Sequence, residues 1–326
     1  MHETVSPPRT LRLGTRGSAL AMTQSRLVAA ALRSRGVPVQ LVAIRTTGDS
    51  RPPNTVWGEG AFVTELEAAL LDHRVDLAVH SAKDVPTRED ARLVVAAYPA
   101  REDPRDALVC RIPGATLATL PAGSRIGSDS PRRRAFLLAR RPDLVVAPLH
   151  GNVDTRLRRL ADGEADALVL AVAGLRRLGL DGRIDEPLDP SVVPPAPGQG
   201  ALAIQSRFDD ALVRELLAPL DDAATRAAVE AERAFLEASG GGCRAPLGAL
   251  GTVRDGRLRL IAAAADEACR TVWDERTGAP ADGRALASAL AAALQAALAA
   301  AAKADAAAAL PAASSLPIRT LEEARA

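Results

Sequence analysis

The rhythm of apolar positions changes along the chain. Through the first 200 residues, short runs of Val, Ile, Leu and Ala alternate with stretches whose apolar residues recur at helical spacing, the pattern of parallel α/β units. Strands are predicted at residues 11–14, 39–45, 76–81, 93–97, 106–110, 125–127, 144–148 and 167–171, and helices at 18–35, 62–71, 132–140 and 155–161. Residues 48–60 have turn composition throughout and read as a mobile loop. Residues 101–105 read as a crossing segment, 194–200 (PPAPGQG) as a linker and 201–205 as a further strand. The order then changes to a long helix over 222–238, strands near 249–254, 258–264 and 270–275, and an alanine-rich helix over 285–302. That succession reads as a small α+β domain. In its last helix Leu286, Leu290, Leu294 and Leu298 form one stripe suited to pack on a sheet. The tail beyond residue 310 reads as irregular.

A weak repeat runs through the first part. Leu70, Asp72, Asp76 and Val79 recur as Leu160, Asp162, Asp166 and Val169 at a constant offset of 90. Two duplicated lobes would produce it, and so would a chance match between two helix-turn-strand units.

At 326 residues the chain suits two domains, or three if the last is small. The 41 basic and 40 acidic residues leave a charge of +1, so no net field draws the molecule to nucleic acid or an anionic membrane. Seven aromatic residues are too few for a stacking platform, and neither a nucleic-acid nor a membrane partner is expected. Among the basic residues only Lys83 and Lys303 are lysine. The three cysteines and four histidines have no ligand spacing, so neither a metal site nor a disulfide framework is expected. The opening MHETVSPPRT lacks the apolar core of a secretory signal, which points to the cytoplasm. The uncharged stretch at 285–302 is nearly all alanine, which contributes little to partition into hydrocarbon, and reads as a soluble helix.

Three strand-to-helix junctions carry hydroxyls with arginines: Arg16 with Ser18, Ser128 and Ser130 with Arg132 and Arg133, and His150 followed by Arg156. Ser130 suits an N-cap and Pro131 the first helical position, but basic residues in a first helical turn oppose the helix dipole. For a single arginine a solvated face explains as much. Three such junctions in one α/β frame favour an anion site. The segment 80–86 closes a strand, where ligands of open α/β sheets gather. There Lys83 suits an anion and Asp84 a proton, although a surface ion pair reads the same way. Cys243 follows three glycines and precedes Arg244, a setting for a reactive thiol or attachment point, whereas Cys110 and Cys269 lie in apolar strand patterns and read as core.

Taken in order, LGTRGS (13–18), FVTELE (62–67), VHSAKDVP (79–86), REDPRD (101–106), SPRR (130–133), GNVDTR (151–156), LAVAGL (170–175), PAPGQG (195–200) and GGC (241–243) make the chain resemble the porphobilinogen deaminase (hydroxymethylbilane synthase) family. The match spans about residues 10–250, and the ordered set is highly specific although no single motif is. The resemblance implies an α/β fold of two lobes like those of type II periplasmic binding proteins, plus a small C-terminal α+β domain. The boundaries it suggests are 1–103 with 201–220, then 104–200, then 221–326.

It also implies a cytoplasmic, monomeric transferase that condenses four porphobilinogens head to tail into hydroxymethylbilane, with loss of ammonia. Cys243 matches the residue that holds a covalent dipyrromethane primer through a thioether, and Asp84 matches the catalytic carboxylate. Arg16, Ser18, Ser81, Lys83, Ser128, Ser130, Arg132, Arg133, Arg156 and Arg177 match positions that bind primer or substrate carboxylates, and His150 and Arg101 join them as candidates. Arginine forks suit such polycarboxylates, and a carboxylate held against a pyrrole NH stabilises the electron-poor azafulvene left when ammonia departs. Four features depart from the family pattern. His150 stands where an arginine is usual, Glu59 and Asp129 add negative charge, Gly17 lacks a longer side chain, and the 48–60 loop is short and free of lysine. These departures keep an alternative open: a non-catalytic tetrapyrrole- or carboxylate-binding paralogue on the same fold.

Overall fold

The computed structural model describes residues 9–47, 60, 62–88, 90–240 and 245–309. Cys243, Glu59, nearly all of the 48–60 loop and the tail beyond 310 lie outside the described residues.

The chain opens with β1 (Leu11–Arg16), α1 (Ala19–Arg33), β2 (Val39–Ile44), α2 (Thr64–Leu71), β3 (Leu77–Ser81) and β4 (Leu93–Ala97). It then crosses to a second sheet through β5 (Asp106–Cys110), β6 (Arg125–Gly127), α3 (Pro131–Arg140), β7 (Val145–Ala147), α4 (Val153–Ala161), β8 (Ala167–Ala171), α5 (Val172–Arg177) and β9 (Glu186–Pro187). It returns as β10 (Leu202–Arg207) and α6 (Ala211–Leu217). The sheets have the orders β2-β1-β3-β10-β4 and β7-β6-β8-β5-β9. Helices cover both faces of the first sheet: Val28, Ala29 and Leu32 of α1 pack with Leu11 and Leu13, while Leu66, Ala69 and Leu70 of α2 pack with Ile44 and Ala78.

The units are not all parallel, as the alternating pattern had suggested. β1 runs parallel to β2 and β3, but β10 lies antiparallel between β3 and β4, and β5 lies antiparallel to β8 and β9. The crossings explain it. Each incoming strand begins opposite the last residues of its neighbour, Leu202 against Ser81 and Asp106 against Ala171, so it can only run back down the sheet. Where the two crossings touch, side-chain carbon does not fit. A Cβ on Gly200, whose φ is +88°, would lie 2.4 Å from the Glu102 carbonyl oxygen.

The offset repeat has a structural counterpart in both lobes. The Asp76 amide donates to the Arg12 carbonyl, and an Asp76 carboxylate oxygen accepts from the Arg12 amide; Asp166 makes the same two bonds with Arg125. Gly14 pairs with Ala78 in the first lobe as Gly127 pairs with Leu168 in the second.

The remaining unit is α7 (Ala223–Ala238), an antiparallel sheet of β11 (Leu247–Arg254), β12 (Arg257–Ala265) and β13 (Thr271–Gly278), and α8 (Gly283–Ala309). The leucine stripe of α8 packs on this sheet and α7: Leu290 and Leu294 are buried, with Leu286 and Leu298 against the same core. Each buried leucine contributes about 2 kcal/mol relative to exposure. The whole is an α/β protein with two lobes, each built on a five-stranded mixed sheet, and a small α+β unit.

Candidate active-site cleft

Where the strands of both lobes end, a cavity of about 360 Å³ opens between them. From the first lobe it is lined by Arg16, Ser18, Ser81, Lys83 and Asp84, and from the second by Arg133, Arg156 and Arg177. The first turns of α1 and α4 also border it, so unsatisfied helix N–H groups add to the positive field. Leu20, Phe62, Leu170 and Leu178 supply apolar wall.

Local structure explains each placement. Ser18 caps α1, its hydroxyl accepting from the Ala21 amide at 3.4 Å. Arg16, the last residue of β1, lays its guanidinium 3.9 Å over the Phe62 ring, which sets its plane. Ser81 Oγ accepts from Gln24 Nε2 at 3.1 Å. Lys83 and Asp84 follow within a single 3₁₀ turn, Ala82–Asp84. Burial pushes the Lys83 ammonium down to about 8, against the opposing pull of Asp84. Among the described residues the Asp84 carboxylate has no hydrogen-bond or ion-pair partner. Burial likewise lowers the Arg156 and Arg177 guanidiniums from their ordinary value. Arg177 Nη2 donates to the Gly200 carbonyl at 2.6 Å.

Other candidates sit elsewhere. Ser128, Ser130 and His150 line a neighbouring cavity of about 530 Å³, against Pro246 and the loop carrying Cys269. Ser130 caps α3, accepting from the Arg133 amide at 3.3 Å. Arg101 is turned away, its guanidinium bonded to buried Glu232 at 2.6 and 3.0 Å. Arg132 is buried, 2.8 Å from Asp106, and donates to the Pro194 carbonyl. Arg133 reaches Asp106 as well, at 2.7 Å, while still bordering the cleft. The two arginines hold the Asp106 carboxyl well below the usual carboxylate range despite its complete burial. The anion that these first-turn arginines answer is thus a side chain of the protein itself.

Cys269 is not core. It is half-buried at φ +60° in the turn after β12 and faces the second cavity, because the apolar strand ends at Ala265. Cys110 is buried, and burial pushes its thiol up to about 11.

Sequence reading missed Gln199, which it placed in a linker. Its Nε2 donates to the Pro104 carbonyl at 2.7 Å and to Asp106 at 2.9 Å, which turns its Oε1 toward Lys83 Nζ at 3.3 Å. Asp106 and Phe62 were visible only as members of their motifs. No local pattern announces a contact made across the crossing.

Fold and cleft define a two-lobed α/β protein with a cationic, carboxylate-bearing cleft, extended by a third unit. Residues 11–215 match the family model described as porphobilinogen deaminase, dipyromethane cofactor binding domain, and residues 226–296 match porphobilinogen deaminase, C-terminal domain. The chain belongs to the porphobilinogen deaminase family, transferases of tetrapyrrole biosynthesis. A porphobilinogen deaminase from Roseiflexus sp. (strain RS-1) is 52% identical over 257 residues, covering 77% of this chain and 84% of its own. That from Roseiflexus castenholzii is 49% identical over 283 residues, covering 85% and 93%. That from Acidothermus cellulolyticus is 49% identical over 290 residues, covering 85% and 87%.

Proposed function

We propose that this cleft condenses four porphobilinogens head to tail into hydroxymethylbilane, with Asp84 as the catalytic carboxylate and Cys243 as the thioether attachment point of a dipyrromethane. The observation that carries the proposal is Asp84, with no partner for its carboxylate among the described residues, lining one cavity with Arg16, Lys83, Arg133, Arg156 and Arg177. The donor set fits a dipyrromethane: guanidiniums, an ammonium and hydroxyls for its carboxylates, and Leu and Phe side chains for its pyrrole faces. That group, when bound, supplies the electron-rich pyrrole carbon on which the chain grows.

At each addition the C–N bond of porphobilinogen breaks and ammonia leaves, a C–C bond forms, and the attacked pyrrole carbon loses a proton. Arg16, Arg156, Arg177 and Lys83 hold carboxylates so that the ring NH meets Asp84. There the carboxylate stabilises the cation and passes the proton on. Asp154, the other acid lining the cavity, sits in the first turn of α4, where the helix dipole favours its charge.

The reading extends to domains 1–103 with 201–220, 104–200 and 221–326, and to a cytoplasmic monomer whose only partner is the small substrate. In support, α8, although long and apolar enough to cross a membrane, seats its leucine stripe on the third sheet. A binding-only paralogue is the second reading, favoured by Asp129 lying 3.4 Å from Arg156. Intact mass of protein produced with porphobilinogen available is expected to show a dipyrrole adduct that Cys243→Ala lacks. An unmodified wild-type mass overturns the proposal, and ligand binding without ammonia release establishes the paralogue instead.

A further inference from the structure

The wall between the cleft and the second cavity holds a carboxylate that reaches both ways. Asp129 Oδ2 lies 3.4 Å from Nη2 of Arg156, which lines the cleft, and Oδ1 lies 3.1 Å from Nδ1 of His150, which lines the second cavity. The three side chains are only 20–22% exposed. Asp129 Oδ1 and His150 Nδ1 are both buried, and neither has a hydrogen bond to any group, so the 3.1 Å contact between them is the one each makes. A bare Nδ1 would set its lone pair against the carboxylate, so the pair requires a hydrogen there. Arg156 already gives its Nε to the Gly151 carbonyl at 2.7 Å. Its Nη groups are what it offers a ligand, and Asp129 draws on one of them.

We propose that His150 and Asp129 act as positioning residues that tune Arg156: the charge on the imidazole sets how strongly Asp129 competes with a substrate carboxylate for that guanidinium. The inference rests on the proposed function of the cleft. With an imidazolium at 150, Asp129 has a second cation, and Arg156 turns its charge to the substrate. With a neutral imidazole, the Asp129 charge bears more fully on Arg156 and repels an incoming carboxylate.

Among the described residues the other charged groups around the pair and Arg156 are Arg159 of α4, whose Nη1 donates to the His150 carbonyl at 3.2 Å, Arg133 and Arg134 of α3, and Asp266 and Glu267 beyond β12. Arginines and carboxylates keep their charge between pH 6 and 8, as do the substrate's own carboxylates. Imidazole is the side chain whose ordinary range falls there. In the cleft, Lys83 titrates toward the upper end of that window.

The test is KM for porphobilinogen between pH 6 and 8, measured on holoenzyme. In wild type KM is expected to rise about three- to tenfold, the scale of one partly screened charge contact, with the step in KM rather than kcat. Asp129→Asn and His150→Arg are expected to hold the low value at both ends, and His150→Ala the high value. A wild-type KM that does not change with pH overturns the inference, as does an unchanged step in Asp129→Asn, which would assign the step to Lys83. If Asp129→Asn does not fold, His150→Arg and His150→Ala decide, since a wild-type pH step retained in either of them, or the same KM in both, overturns it as well. Wild-type holoenzyme that forms no hydroxymethylbilane at any pH instead overturns the function on which the inference rests.

Discussion

At the end of β3 the first lobe presents Ser81, Ala82, Lys83 and Asp84; at the end of β8, 90 residues on, the second presents Ala171, Val172, Ala173 and Gly174. The strands hold equivalent places beside β1 and β6, and both ends border the cleft. Yet one end carries an ammonium and a carboxylate, and the other carries small side chains. A Cβ on Gly174 would sit 3.6 Å from Leu20 of the first lobe, an ordinary contact, so the second end packs against its neighbour without needing a bare backbone. A similar divergence separates the helix starts. Arg16 lies over Phe62 beside the cavity, whereas Arg132 and Arg133 turn onto Asp106. The framework tolerates two different uses of charge because its stability comes from leucine-rich faces and buried strand bonds common to both lobes.

The comparison breaks most visibly at Asp84. Asp84→Asn is expected to lower ammonia release by about 10²- to 10⁴-fold while ligand binding persists, and turnover within tenfold of wild type would remove Asp84 from the chemistry. Next in size is the loss of a buried counter-charge. Asp76 is fully buried among Arg9, Arg12 and Arg207, whereas the side chain of its counterpart Asp166 is 40% exposed beside Arg111. Asp76→Ala is expected to cost about 3–5 kcal/mol in urea unfolding and Asp166→Ala about 1 kcal/mol or less. Equal losses would show that the lobes are balanced alike.

Acid sharpens the same contrast. Asp76 and Asp106 both have carboxyls lowered by their arginines, so they bind protons more readily unfolded than folded. Their stabilisation is full above the unfolded range, about pH 4, and drains away as pH falls through the folded values. The urea midpoint is therefore expected to drop between pH 5 and pH 3, and Asp106→Asn to flatten that drop. The smallest effect belongs to Gly174→Ala. In a helix, with only an ordinary contact to meet, the added methyl is expected to raise stability by about 0.5–1 kcal/mol, and a loss would show that the second lobe needs a bare backbone there.

The longer elements were legible because their signal is periodic. The predicted helix over 222–238 and strand over 106–110 match Ala223–Ala238 and Asp106–Cys110 to within a residue. α5, α6 and β9 escaped notice, since runs of two to seven residues are too short to show a period. Of the candidate site, the strand-end residues Arg16, Ser81, Lys83 and Asp84 were legible from position alone, because strand ends in such sheets face the ligand. The destinations of Arg101 and Arg132 were not. A guanidinium on a flexible stem goes to whichever acid the fold brings near, and Glu232 and Asp106 are 131 and 26 positions away in the chain.

By itself, then, the sequence determined the longer strands and helices, which faces are apolar, and the order of motifs that marks the family, since all of these are local or ordered along the chain. Tertiary structure decided the antiparallel return of β10, the partners that absorb Arg132 and Arg101, the hold of Gln199 on Lys83, and the reach of Asp129 to Arg156 and His150. Each of these depends on segments distant in the chain meeting in space, where a few ångströms settle whether a charge faces the protein or the ligand.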